Sequence, residues 1–130
     1  MKEKLSLLAT LVKLAKIDND FREEERKFIY TIAMRLGISP KDFVRVFHEN
    51  IDFKPPKLET ERILHFHRLV LLMNIDRNAS SAEIELVKQL GGKMGLNPIA
   101  INTVLEKMYL YKNNVIPAEK LISIFKTYHN

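Results

Sequence analysis

Two Gly-x-x-Pro segments recur at one spacing, and they constrain the fold more than any other feature of the chain. Gly37 is followed by Pro40 and Gly95 by Pro98, so the pair repeats after 95 − 37 = 58 positions. Glycine after an apolar helical stripe is typical of a left-handed C-cap, and proline is favoured at the first position of a helix. The spacing therefore predicts two copies of one helix–turn–helix unit.

Apolar residues around these breaks recur at the same offset and at helical spacing. The candidate N-caps Ser39 and Asn97 also correspond. The apolar pairs are Phe28 with Leu86, Ile32 with Leu90, Leu36 with Met94, Phe43 with Ile101 and Phe47 with Leu105. We interpret residues 5–57 and 63–115, approximately, as an internal repeat.

The pattern predicts an all-α fold of seven helices. Helices one to three and four to six form two similar three-helix halves, helix four is central and shared between them, and a C-terminal helix begins at Pro117. The 130 residues, 46% hydrophobic and 28% charged, are enough for one globular domain over residues 1–130. Pro55-Pro56 marks the longest connection, because proline is excluded from helix interiors.

Three local features of the sequence support predictions about particular helices. Ser6, Thr10 and Lys13 form a polar stripe on the first helix, which therefore reads as folded structure and not as a signal peptide. Gly91-Gly92, inside the fifth helix, indicates close helix packing. The buried side of the third helix is predicted to consist of Phe43, Val44, Val46 and Phe47.

Two acidic turns occupy equivalent positions in the repeat. Asp18 and Asp76 each follow an isoleucine, and Glu25 and Glu83 each come seven residues later. If the halves pack by pseudo-symmetry, these four carboxylates could pool oxygen ligands for calcium, magnesium or zinc. A glycine is missing where a calcium-binding EF-hand loop requires one, since Glu23 stands there, so the site is not an EF-hand.

Helix capping is the alternative explanation for the same acids. Ser80-Ser81-Ala82-Glu83 matches a capping box, and Glu25 lies in a first helical turn, where carboxylates are favoured. Arg22 and Arg77 also bring positive charge into the turns. Any metal site is therefore predicted to be lopsided and centred on Asp18 and Glu25.

Other chemistry is sparse. The chain has no cysteine, which excludes disulfides, thiolate zinc sites and cysteine nucleophiles. His65 and His67 lie two apart on a helix and cannot jointly hold a metal. No phosphate-binding glycine loop or nucleophile motif is present. We predict a non-catalytic protein.

The net charge of +5 raises nucleic acid as an alternative partner. Lys41, Arg45 and His48 follow the first break as a recognition helix would, but the second copy carries Asn102 and Glu106 instead. Basic and acidic residues also alternate along the chain, so nucleic-acid binding is disfavoured. No apolar run is long enough to span a bilayer, and we expect a cytoplasmic protein.

The segment Ala15 to Glu25 resembles the signature of the TerB-like, tellurite-resistance family, Ala-x-x-Asp-Gly-x-Val/Ile-x-x-x-Glu. Asn19 replaces the signature glycine in the first turn and Arg77 in the second. The resemblance implies a bacterial cytoplasmic seven-helix module of two similar halves.

That family is linked to stress responses and to protein complexes near the membrane. The resemblance implies a divalent-metal site at Asp18, Glu25, Asp76 and Glu83. A related domain lies at the cytosolic end of membrane-anchored DnaJ-like co-chaperones, which makes a co-chaperone-type regulatory role an alternative. We expect an adaptor that binds a partner protein.

Overall fold

A computed structural model describes residues 2–17, 21–75 and 78–128, and every regular element in these ranges is helical. The all-α prediction is confirmed. Two short 3-10 helices, Met108–Leu110 and Lys112–Asn114, lie between the last two α-helices. The α-helices of the described ranges are α1 (Lys2–Lys16), α2 (Glu23–Arg35), α3 (Pro40–His48), α4 (Glu59–Met73), α5 (Ser81–Lys93), α6 (Pro98–Lys107) and α7 (Ala118–Thr127).

The chain divides into two compact units at the predicted Pro55-Pro56 connection. Unit 1 comprises residues 1–55, and in it α1 packs against both α2 and α3. Unit 2 comprises residues 56–130, and in it α4 packs against α5 and α7 while α6 packs against the same two helices. Each unit thus surrounds a long apolar helix.

Both predicted glycine C-caps are present. Gly37 has φ = 73° and Gly95 has φ = 82°, values that a side chain would disfavour. In both copies the residue after the glycine donates its N–H to the carbonyl five positions earlier, at 3.0 Å and 3.1 Å. This is the long hydrogen bond of a Schellman motif, which ends α2 and α5 in the same way.

The predicted N-caps are also confirmed. The Ser39 Oγ accepts the N–H of Asp42 at 3.1 Å. The Asn97 Oδ1 accepts the N–H groups of Ile99 and Ala100 at 2.8 Å and 3.2 Å. A proline follows each cap within the first helical turn. The local geometry of the breaks therefore recurs at the 58-residue offset.

The polar stripe on α1 is largely buried. Ser6 and Thr10 are buried, and only Lys13 reaches solvent. The Thr10 hydroxyl donates to the Ser6 carbonyl at 2.7 Å, and the Ser6 Oγ accepts the N–H of Lys54 at 2.7 Å. The two hydroxyls are satisfied internally, so α1 can be enclosed on a side that its sequence marks as polar.

The two glycines of α5 differ. A Cβ on Gly91 would lie 2.8 Å from the Ile101 Cδ1 and 2.9 Å from the Phe66 Cε1, whereas a Cβ on Gly92 would meet nothing within 4 Å. Phe66 is fully buried and also packs edge-to-face on Phe125, with centroids 5.7 Å apart. The close-packing interpretation is confirmed for Gly91 and wrong for Gly92.

Candidate functional site

Of the four predicted metal ligands, Glu25 and Glu83 are described and Asp18 and Asp76 lie outside the described residues. Glu83 completes the predicted capping box. Its Oε1 accepts the N–H of Ser80 at 2.9 Å, and its own N–H donates to the Ser80 Oγ at 3.0 Å. Glu83 therefore stabilises the start of α5.

Glu25 has the same role at the start of α2. It is buried, and its Oε1 accepts the N–H of Arg22 at 3.0 Å. An arginine side chain has no acceptor, so the reciprocal half of a capping box cannot form here. Capping accounts for one oxygen of each glutamate at both copies of the turn.

The metal prediction therefore depends on the two aspartates. Within residues 2–17, 21–75 and 78–128, no three His, Asp or Glu side chains are grouped so that they could hold a metal ion. The described residues do not form a ligand set on their own.

A cluster of aromatic rings on unit 1 is the most distinctive surface of the described structure. Phe21, at the end of the first turn, stacks on Phe47 of α3, with centroids 5.9 Å apart. Phe43 meets Phe47 edge-to-face at 5.3 Å, and Tyr30 of α2 meets Phe43 edge-to-face at 5.3 Å. These offset and T-shaped contacts are the favoured geometries for rings.

Two cations lie over this cluster. The Arg26 guanidinium is 5.5 Å from the Phe21 centroid and 5.9 Å from that of Phe47, and the Lys16 Nζ is 5.6 Å from the Phe47 centroid. Both side chains are exposed, and no described carboxylate forms an ion pair with either. Two positively charged groups therefore lie over the ring faces and have no anionic partner among the described residues.

The cluster continues into exposed apolar side chains. Met34, one turn beyond Tyr30, is 58% exposed, and Val44, next to Phe43, is 52% exposed. We name Phe21, Tyr30, Met34, Phe43, Val44 and Phe47 the aromatic face. It combines aromatic and methionine side chains and has Arg26 over its rings, and these three residue types are enriched in protein interfaces.

The prediction that Val44 is buried is wrong, and the geometry of α3 explains why. At 100° per residue, the four apolar residues cover an arc of about 160°. Val46, at one edge of the arc, is buried; Phe43 and Phe47 are half-buried; Val44 is at the opposite, exposed edge. The apolar arc is wider than one buried stripe requires. The extra width was the sequence feature from which an exposed apolar edge, and so the aromatic face, could have been predicted.

Unit 1 also contains a cavity of about 310 Å³ beside α1 and α3. Leu5 and Ile51 contribute its apolar lining, and Lys2, Lys54 and Asp52 contribute charges of both signs. Its lining, which also includes Arg45, Glu49 and Asn50, contains no histidine, serine or threonine.

The arginine of the predicted basic surface on α3 is neutralised by its own helix. The Arg45 side chain donates to the Glu49 carboxylate at 2.9 Å and 3.3 Å and to the Asp42 carboxylate at 3.0 Å. The hydrogen bonds to Glu49 and then Asp42 raise the pKa of Arg45. A phosphate would have to compete with two carboxylates for this guanidinium.

The two histidines of α4 are partly buried and act separately. The His67 Nε2 donates to the Ile116 carbonyl at 2.8 Å. Burial, followed by the positive charge of Arg68, lowers the pKa of His65 to about 4. Burial also lowers the pKa of His67, although its bond to Ile116 opposes that effect. The surroundings of both imidazoles are therefore explained by packing within the protein.

The chain matches no model of a known protein family, no curated protein and no solved structure. The resemblance to the TerB-like family stays a prediction. Among the described residues, no helix combines the length and the apolar character needed to cross a membrane.

Proposed function

We propose that this chain is a non-catalytic module that binds a partner protein through the aromatic face. The observation that carries the proposal is the pair of exposed cations, Arg26 and Lys16, lying over half-buried rings of the aromatic face without a described carboxylate partner. A partner segment with acidic and apolar side chains fits this surface. Its carboxylates would form ion pairs with Arg26 and Lys16 without breaking one between described residues, and its apolar groups would cover Met34 and Val44.

This chemistry favours a protein over nucleic acid. Two cations lie over the described rings of the face, whereas nucleic-acid sites need a larger cluster of positive charge. Arg45, the obvious phosphate contact on α3, is already engaged by Glu49 and Asp42. Nearly half of the Tyr30 side chain is exposed, and it presents a large rigid surface that loses little entropy on binding.

Selection of random peptides displayed on phage against the full chain tests the proposal. We expect the enriched peptides to carry Asp or Glu next to Leu, Phe or Trp, and to shift the NMR signals of Tyr30, Phe43 and Phe47. The triple variant Tyr30→Ser, Met34→Ser, Val44→Ser should weaken their binding by at least about tenfold, because all three side chains are solvent-exposed contacts.

The matched control replaces Ile99 with serine in unit 2, where an exposed apolar side chain lies on α6 outside the aromatic face. This variant should bind the selected peptides as the wild type does. Enriched peptides that lack acidic residues, or that bind the triple variant with unchanged affinity, would refute the proposed surface.

The fold assignment forms a second part of the proposal: a TerB-like protein of two similar three-helix halves that share α4, with a role in bacterial stress responses. The support is local. Glycine C-caps, N-caps and first-turn glutamates recur with the same hydrogen bonds at the 58-residue offset. The helix ends of the two copies are therefore capped in the same way at these three sites.

We further propose that a divalent ion binds at the first turn, with Asp18 and Glu25 as ligands, and thermal unfolding tests this proposal. Calcium, magnesium or zinc is expected to raise the Tm, because a ligand at about 100 times its Kd stabilises the folded state by about 2.7 kcal/mol. Glu25→Gln is the informative variant. A glutamine keeps an oxygen for the Arg22 N–H, so the cap survives while the anionic ligand is lost.

We expect Glu25→Gln to leave the ion-free Tm nearly unchanged and to reduce the ion-induced rise. The double variant Asp18→Asn, Asp76→Asn should abolish the rise. A wild-type Tm that does not respond to millimolar ion would eliminate the metal site and leave capping as the whole role of Glu25.

A further inference from the structure

The connection between α6 and α7 in unit 2 displays apolar side chains to solvent. Leu110 is 80% exposed, the highest value among the large apolar residues of the described chain, and Tyr109 is 56% exposed. Val115, a few residues later, is also exposed. We name residues 109–115 the apolar knuckle. Exposed apolar side chains that lie together on a surface are a feature of protein and membrane contact sites.

The knuckle is held by the fold on both sides. Met108 immediately before it and Ile116 immediately after it are fully buried. The Asn74 Nδ2 donates to the Asn114 carbonyl at 3.2 Å, and the His67 Nε2 donates to the Ile116 carbonyl at 2.8 Å. The exposure of Leu110 is therefore built into the structure and does not come from a fraying end.

The backbone within the knuckle is equally specific. Asn113 and Asn114 have φ values of 58° and 59°, a left-handed conformation that asparagine tolerates better than most residues. These residues end the second 3-10 helix and return the chain to the core at Ile116. Tyr109 and Leu110 are thus exposed between the buried Met108 and the half-buried Tyr111.

Two lysines lie close to the exposed tip of the knuckle. Lys107 and Lys112 are exposed on either side of Tyr109 and Leu110, and residues 109–115 include no aspartate or glutamate. The nearest acidic residues in sequence are Glu106 and Glu119, both exposed. Neither lysine forms an ion pair with a described carboxylate.

We propose that the apolar knuckle inserts into the headgroup region of an anionic lipid bilayer. Leucine at the tip would reach the acyl boundary, tyrosine prefers the headgroup level, and lysines pair with lipid phosphates while their stems stay apolar. The contact is small, so it is reversible and depends on anionic lipid. It is independent of the aromatic face, which lies in unit 1.

The absence of tryptophan from the chain provides a direct test. Leu110→Trp places the single tryptophan at the tip of the knuckle, and Val44→Trp places it on the aromatic face as the matched control. With vesicles of phosphatidylcholine containing about 30% phosphatidylglycerol, we expect the Leu110→Trp emission to shift to the blue. Pure phosphatidylcholine should give a much smaller shift, and Val44→Trp should give none.

Affinity measurements separate the apolar from the electrostatic contribution. In vesicle co-sedimentation, Leu110→Ser should weaken binding at least about fivefold, as expected when one large apolar side chain is removed from the contact. Lys107→Gln with Lys112→Gln should weaken it about tenfold or more, because each lysine near an anionic surface contributes about a fivefold factor. These side chains are exposed, and circular dichroism melting checks that the variants remain folded.

Three results would overturn the proposal. The first is no blue shift of Leu110→Trp at millimolar lipid, and the second is an equal shift for Val44→Trp. The third is a blue shift that grows with protein concentration in the absence of lipid, which would assign the knuckle to contact with a second copy of the chain.

Discussion

Replacing Gly91 with alanine is expected to lower the free energy of unfolding by about 1–3 kcal/mol, the usual range for overpacking a core. The same replacement at Gly92 is expected to raise it by up to about 1 kcal/mol, the difference between glycine and alanine in an exposed helix. Two adjacent, chemically identical substitutions should therefore shift stability in opposite directions.

The structural reason is the side of α5 on which each glycine lies. A Cβ on Gly91 would approach the Phe66 Cε1 to 2.9 Å and the Ile101 Cδ1 to 2.8 Å. The Ile101 methyl is the flexible end of a side chain and can move. Phe66 is fully buried and packs on Phe125, so its ring has little room to retreat.

Urea unfolding followed by circular dichroism measures both changes, and a double variant identifies the clash. Phe66→Leu removes the ring atoms that the new methyl meets, so Gly91→Ala should be less destabilising in that background than in the wild type. An equal loss in both backgrounds, or a stabilising Gly91→Ala, would contradict the close packing of α5 on Phe66.

Helix ends were predictable from sequence because their determinants are local. Gly37 and Gly95 end helices through a backbone conformation that few other residues accept, and Ser39 and Asn97 cap through atoms within three residues of themselves. Neither requires knowledge of a distant partner. The all-α class and the helix boundaries follow from these short-range rules.

Burial depended on contacts that the sequence does not specify. The Ser6 hydroxyl accepts the N–H of Lys54, which is 48 residues away in a connection that contains no helix. This hydrogen bond allows the polar side chain of Ser6 to be buried. α3 packs against α1, yet Val46 is buried and Val44, at the other edge of the same apolar arc, is exposed. An apolar arc shows that a helix has a buried side but not which edge of the arc its neighbour covers.

The candidate sites also differ in whether their determinants are local in the sequence. The capping box of Ser80 and Glu83 was readable from four consecutive residues, and the structure contains it. The aromatic face joins Phe21 in a turn, Tyr30 in α2 and Phe43 in α3, and such a cluster forms only after the helices pack. The contribution of Asp18 and Asp76 stays a prediction, since both lie outside the described residues.

Lowering the pH from 7 to 4 is expected to destabilise the protein partly through His65. Burial and the nearby Arg68 lower the pKa of this imidazole to about 4, whereas an unfolded chain has the ordinary value of 6.5. Between those two values the unfolded state binds more protons than the folded state. Stability therefore falls as the pH falls through this window and recovers as it rises.

The expected size follows from the shift. A difference of this kind corresponds to about 1.4 kcal/mol per pH unit, and His65 is partly exposed, so solvent screening reduces the total to on the order of 2 kcal/mol. His67 adds a loss of the same sign, because burial also lowers its pKa. Its hydrogen bond to Ile116 opposes the shift and keeps its share smaller.

His65→Gln isolates the contribution of this one ring. Carboxylates that become protonated in the same range act equally in both proteins, so only the difference between wild type and variant reports on His65. Urea unfolding at steps between pH 7 and pH 4 should show the wild type losing about 2 kcal/mol more than the variant. An NMR titration should place the midpoint of the His65 ring near pH 4. Parallel losses in the two proteins, or a midpoint at the ordinary value, would show that the ring is better hydrated than its packing on α4 implies.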